Sequence, residues 1–159
     1  MSHNYSFQKY KSALYYRRMN TAPIAGKAEV LAFLNELLEA ERAGARVALD
    51  TAWEAAEPAM AEIMQGIRRD EARWCAMLLQ QIERIGGKPS PHTGPLHDQA
   101  MAIEDLKARI VFLNRGQGWV VRKLREMMPR LEDKTLYTDL AHMLSSHVAN
   151  ITIANSALV

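Results

Sequence analysis

Four positions in this chain combine a chemistry-bearing side chain with a place on an apolar helical stripe: Glu41, Glu71, Gln117 and His147. Glu41 follows Leu34 by seven residues and Leu37 by four, and Glu71 stands four after Ile67 and three before Trp74. Gln117 falls four after Leu113, and His147 lies three after Leu144 and four before Ile151. Spacings of three, four and seven put all of these side chains on buried helix faces. An unpaired carboxylate costs several kcal/mol to bury, so it stays there only when paired, protonated or bound to a metal. Two carboxylates, an imidazole and an amide form a donor set that suits one divalent ion, iron, manganese or zinc. They also suit a metal-free network in which a charged His147 pairs with Glu41 or Glu71, helped by an inward-reaching Arg46 or Arg73. On residue types alone both readings stand.

The elements that must position these groups are helical. Leu34, Leu37, Leu38, Ala45, Ala48 and Leu49 predict a first helix from Ala28 to about Trp53. After the break at Pro58, the recurrence of Met60, Ile63, Met64, Ile67, Trp74, Leu78, Ile82 and Ile85 predicts a second, stopped by Gly86, Gly87 and Pro89. Lys88 to His97 reads as a loop long enough to cross over the end of a bundle. A third helix carries Ile103, Leu106, Ile110, Leu113, Val120, Leu124 and Met127 and ends near Pro129. A fourth begins near Asp133 or Thr135 with Leu136, Leu140, Met143, Leu144, Ile151 and Ala154 on its stripe. No segment alternates with period two, so a sheet is not indicated. The expectation is an all-α antiparallel four-helix bundle over residues 28–159, with a long connection between its second and third helices.

Depth agrees with direction. Glu41 and Glu71 are centred on residue 56, beside the Pro58 break, and Gln117 and His147 on residue 132, in the turn after Pro129. Each is about 15 residues from its turn, so at roughly 1.5 Å per residue all four should meet about 22 Å from one end of the bundle.

These residues carry a family resemblance. Leu34, Asn35, Leu38 and Glu41 form an L-N-x-x-L-x-x-E string that resembles the first helix of the bacterioferritin and rubrerythrin group. The chain thus looks ferritin-like, and the resemblance implies a di-iron centre for oxygen or peroxide chemistry. In that superfamily the first and third helices each give a glutamate, and the second and fourth each give Glu-x-x-His. Glu41, Glu71 and His147 match three of the six ligand positions. Trp74 stands at the second-helix histidine, Gln117 at the third-helix glutamate and Leu144 at the fourth-helix glutamate. The chain, with this degenerate motif, also resembles a bacterial branch of the superfamily from which no reaction can be borrowed. Two irons are normally balanced by about four carboxylates, and this layer has two. The implied site is therefore mononuclear at most, built from Glu41, Glu71, His147 and Gln117. The rival is a non-catalytic bundle for dimerisation or partner binding whose polar layer specifies the fold.

Composition narrows the partners. With 20 basic and 18 acidic residues in 159, the net charge of +2 argues against nucleic acid as the main partner. The single cysteine, Cys75, excludes an intramolecular disulfide and suits a reducing, cytoplasmic setting, and no run is apolar enough to span a membrane. Residues 1–27 form an N-terminal arm bearing Tyr5, Phe7, Tyr10, Tyr15 and Tyr16 among basic residues, expected to lie on the bundle or on the second subunit of a homodimer. Weaker signals are Gly116 and Gly118 flanking Gln117, read as close packing against Trp74 or Trp119 or as an opening to the layer. Asp139 and His142 form a competing Asp-x-x-His pair, level with Arg122 and Arg125. Cys75 reads as a small hydrophobe, His92 and His97 as a weak loop pair, and Arg115, Arg122, Lys123, Arg125 and Arg130 as a solvated rim. The sequence names no substrate.

Overall fold

The computed structural model describes residues 22–159. The aromatic arm from Tyr5 to Tyr16 lies outside the described residues. Its end, residues 22–27, is tied to the turn around Pro129, where Arg130 Nε donates to the Pro23 carbonyl (2.8 Å) and the Ala25 amide donates to the Arg130 carbonyl (3.0 Å).

Five α-helices and a 3-10 turn make up the described chain, which contains no strand. They are α1 (Lys27–Glu54), α2 (Pro58–Arg84), α3 (Leu96–Met101), α4 (Leu106–Met127), the turn Met128–Arg130, and α5 (Lys134–Ser156). Proline at the first position of α2 suits a helix start, because the N–H it lacks has no partner there anyway. Gly86, at φ +85°, closes α2 in the left-handed conformation, and the Gly87 amide donates back to the Ile82 carbonyl (2.9 Å). Asp105 caps α4 through the Ala108 amide (2.7 Å), and Asp133 caps α5 through the Leu136 amide (3.0 Å).

The prediction of an all-α chain agrees with the structure, but two elements differ from it. His97, expected in a loop, belongs to α3, and Ile103, expected on the third helix, lies in the linker before α4. The Ile103 carbonyl is held there by two bonds from the buried Arg109 guanidinium, from Nε (3.0 Å) and Nη2 (2.8 Å), and Arg109 Nη1 reaches Glu54 on α1 at 3.0 Å.

The long helices pack α1 on α2, α2 on α5, α5 on α4 and α4 on α1. Their buried apolar residues form two clusters. One joins Leu34, Leu37, Leu38, Trp74, Leu78, Ile82, Val120, Leu124, Leu136, Leu140 and Met143. The other joins Val47, Ala48, Met60, Met64, Ile67, Ala100, Ile110, Leu113 and Ala154. Along α1 and α5 the chain passes from the first cluster to the second; along α2 and α4 it passes back.

The connection from α2 to α4 must therefore travel the length of the core, and polar groups on α1 hold it there. Asn35 Nδ2 donates to the Lys88 carbonyl (3.2 Å) and Asn35 Oδ1 accepts from the Ser90 amide (2.6 Å). Ser90 Oγ bonds Glu39, and Arg42 donates to the Ser90 and His92 carbonyls. Further along, the Gly94 amide donates to the Glu39 carbonyl (3.2 Å), and His97 Nε2 meets Asp50 at 2.8 Å. Individually such exposed contacts contribute little, but together they supply this segment's backbone partners.

Candidate functional site

Between the two apolar clusters, every long helix contributes a deeply buried polar side chain that could do chemistry. On α1 it is Glu41 (2% exposed), on α2 Glu71 (3%), on α4 Gln117 (3%) and on α5 His147 (1%). Each falls between a residue of one cluster and a residue of the other, so the four divide the core into two apolar halves. All four line one cavity of about 480 Å³.

The protons of the layer follow from its hydrogen bonds. His147 Nδ1 lies 3.0 Å from the Met143 carbonyl, which can only accept, so Nδ1 carries hydrogen. Nε2 lies 3.0 Å from Glu41 Oε1. Burial pulls the imidazole down, but the charge and hydrogen bond of Glu41 outweigh it and hold His147 above its ordinary value. Glu41 thus favours the protonated form of His147. Glu71 goes the other way: burial first, then the charges of Glu41 and Asp70, push its carboxyl well above the usual range. Both causes favour its neutral form.

Gly44 makes room for this arrangement. A Cβ there would lie 2.3 Å from Glu71 Oε2 and 2.8 Å from its Cδ, closer than any side chain can approach. Sequence reasoning missed Gly44, although a glycine inside α1, three residues past Glu41, was a signal, since each such glycine costs roughly 1 kcal/mol relative to alanine. It also missed the network beside the layer. Trp74 donates its indole N–H to Ser146 Oγ (3.2 Å), and Asp70 Oδ2 accepts from Asn150 Nδ2 (3.2 Å) and Ser146 Oγ (3.4 Å). Gln117 Nε2 donates to Asn114 Oδ1 (3.4 Å), which leaves its own carbonyl without a donor.

Several expectations are corrected. Arg46 and Arg73 are exposed and do not enter the layer; Arg73 lies over the Trp74 ring at 4.3 Å. The space above Gly116 is filled by Leu96 of α3, whose side chain a Cβ would meet at 3.2 Å, and not by Trp74 or Trp119, whereas Gly118 has only Arg122 near it. Asp139 bonds Gln81 Nε2 (2.6 Å) in place of Arg122 or Arg125, and His142 is exposed. His97 meets Asp50, so His92 and His97 do not form a pair. Burial, with the charge of Glu41, pushes the Cys75 thiol up to about 12, which disqualifies it as a nucleophile.

Three buried oxygens of the layer lack a hydrogen-bond donor: Glu41 Oε2, Glu71 Oε2 and Gln117 Oε1. A set of unpartnered acceptors is what a bound cation satisfies. Among the described residues, however, no three histidine, cysteine, aspartate or glutamate side chains stand together as a ready metal site. A single ion at the layer would need the His147 Nε2 proton removed and the amide oxygen of Gln117 in the set. Two ions would lack carboxylates to balance them.

An all-α protein with a polar layer across its core is the class that fold and site define. The chain belongs to the family described as Domain of unknown function (DUF6306), whose profile matches residues 28–156. No curated protein and no solved structure matches it. None of the described helices is long and apolar enough to cross a membrane.

Proposed function

We propose that residues 28–159 form a ferritin-like antiparallel four-helix bundle whose polar layer binds one divalent metal ion, iron, manganese or zinc, in exchange for protons. The direction of the helices supports the fold: α1 and α5 run one way, α2 and α4 the other, and one long connection returns the chain before α4. This order is that of ferritin-like bundles with a single crossover. The three orphaned oxygens carry the metal reading. A divalent ion with two carboxylates and a neutral imidazole sums to zero charge, which suits a buried site. Glu41, Glu71, Gln117 and His147 would hold the ion. Bound iron or manganese would supply oxidative or peroxide-related chemistry.

Calorimetric titration of purified, chelator-treated protein with Mn(II), Fe(II) or Zn(II) in buffers of different ionisation enthalpy tests this reading. One ion should bind per chain and release about two protons, because His147 and Glu71 must both deprotonate. Glu41→Ala should abolish stoichiometric binding. Absence of binding at micromolar metal, or binding indifferent to Glu41→Ala, would overturn it.

A second reading has its own support, because Glu41 and Met143 already satisfy both nitrogens of His147 without metal. The layer would then serve a non-catalytic bundle that binds a partner or a second copy, and Trp53, 79% exposed at the end of α1, offers apolar surface for one. A metal-free protein whose sedimentation shows a dimer lost on Trp53→Ser would favour it.

A further inference from the structure

The cavity above the layer is larger than a metal ion or a peroxide requires. A water molecule's share of liquid volume is about 30 Å³, so 480 Å³ is the room of some sixteen waters and falls within the range of ordinary small-molecule sites. Its walls are apolar, formed by Ala40, Leu96, Phe112, Trp119 and Val120. At the inner end stand Glu41 and Gln117, whose buried Oε2 and Oε1 are acceptors with no donor. At the outer end stand Glu36, Glu39 and Arg115. Lys123 Nζ holds Glu36 at 3.2 Å, and Glu39 takes the Ser90 hydroxyl, but Arg115, exposed at this rim, has no ion-pair partner among the described residues.

From these features we infer that the cavity binds an elongated organic anion: a hydrogen-bond-donating hydroxyl at the inner end, an apolar, preferably aromatic body, and a carboxylate at the outer end. The hydroxyl supplies the donor that the buried oxygens lack. Phe112 and Trp119 offer an aromatic body the partners it packs on. The carboxylate meets Arg115, the rim cation that is not already paired, and guanidinium is well shaped for it. This inference does not require a metal, so its failure and that of the metal reading are separable.

Calorimetry on chelator-treated full-length protein with 3-(4-hydroxyphenyl)propionate tests it, with 3-phenylpropionate and tyramine as controls. The hydroxy acid should bind one per chain. Loss of the hydroxyl should weaken binding about tenfold, the worth of one buried hydrogen bond, and tyramine should bind at least that much more weakly again. Arg115→Gln, at an exposed position, should leave the melting temperature unchanged and weaken the acid by roughly tenfold or more. Ala40→Leu, which fills the wall, should remove binding while the circular dichroism spectrum stays helical. No saturable binding of the hydroxy acid, tighter binding of tyramine, or affinity unmoved by Arg115→Gln would each overturn the inference.

Discussion

Replacing Glu71 by glutamine removes a titration from the core while keeping the shape of the side chain. In the folded protein burial and the neighbouring charges of Glu41 and Asp70 hold Glu71 in its neutral form. In the unfolded chain it ionises near its ordinary value of about 4.3. Between that value and its raised folded value, the native state keeps a proton that the unfolded state has released. The unfolded state is therefore favoured as pH rises, by about 1.4 kcal/mol for each pH unit of the window. Glu71→Gln cannot contribute this slope. Relative to the native chain the variant should gain up to about 2.7 kcal/mol between pH 5 and pH 7, and the gain should level off once pH passes the folded value. His147 also loses stabilisation as pH rises above roughly 6.5, its folded value being raised, but it titrates in both proteins and cancels to first order. Urea unfolding of both proteins in chelator-containing buffer at unit pH steps from 5 to 8 gives the difference directly. Stability curves that run parallel over this range, or a native chain that gains on the variant as pH rises, would refute a neutral Glu71.

Further perturbations test the rest of the layer. His147→Leu leaves the Glu41 charge buried without its partner and should cost about 3–5 kcal/mol in urea unfolding, whereas adding Glu41→Leu should restore part of the loss. Arg109→Met removes two bonds to the Ile103 carbonyl and the pair with Glu54, and should lower stability by roughly 2–4 kcal/mol while raising amide exchange in residues 102–105. Cys75, with its thiol pushed up to about 12, should react with iodoacetamide at pH 8 on the order of a thousandfold more slowly than an unperturbed thiol; an ordinary rate would remove the layer's charge from its surroundings.

What the sequence disclosed depended on how each feature is encoded. The long helices follow from apolar periodicity with clear stops at Pro58, Gly86 and Pro129, and their ends fall within a few residues of the expected places. The shared depth of Glu41, Glu71, Gln117 and His147 follows from two short turns and a constant rise per residue, quantities that do not depend on the partners of each side chain. The connection before α4 was illegible for the opposite reason. Its order comes from Asn35, Glu39 and Arg42, polar residues on the outer side of α1 whose purpose appears only when the chain returns past them. Gly44 was missed because the requirement for it comes from another helix, through the Glu71 carboxylate. Likewise nothing in the local pattern around Gly116 points to Leu96, which the six-residue α3 delivers from outside the main stripes.

The position of the polar layer constrains what it can be for. Were its role only to fix register, a single satisfied pair such as Glu41 with His147 would suffice, since one misaligned buried charge already penalises a slipped core. The chain adds Glu71, which brings a second ionisable group, and keeps Gly44 at a cost to α1 so that this carboxyl fits. It adds Gln117 with its carbonyl left unpartnered. These additions lower the stability of a closed core, and each leaves an acceptor oxygen without a bond on a residue that lines the cavity. A layer with unpartnered acceptors that lines a cavity is what the proposed exchange with an entering ion or ligand requires.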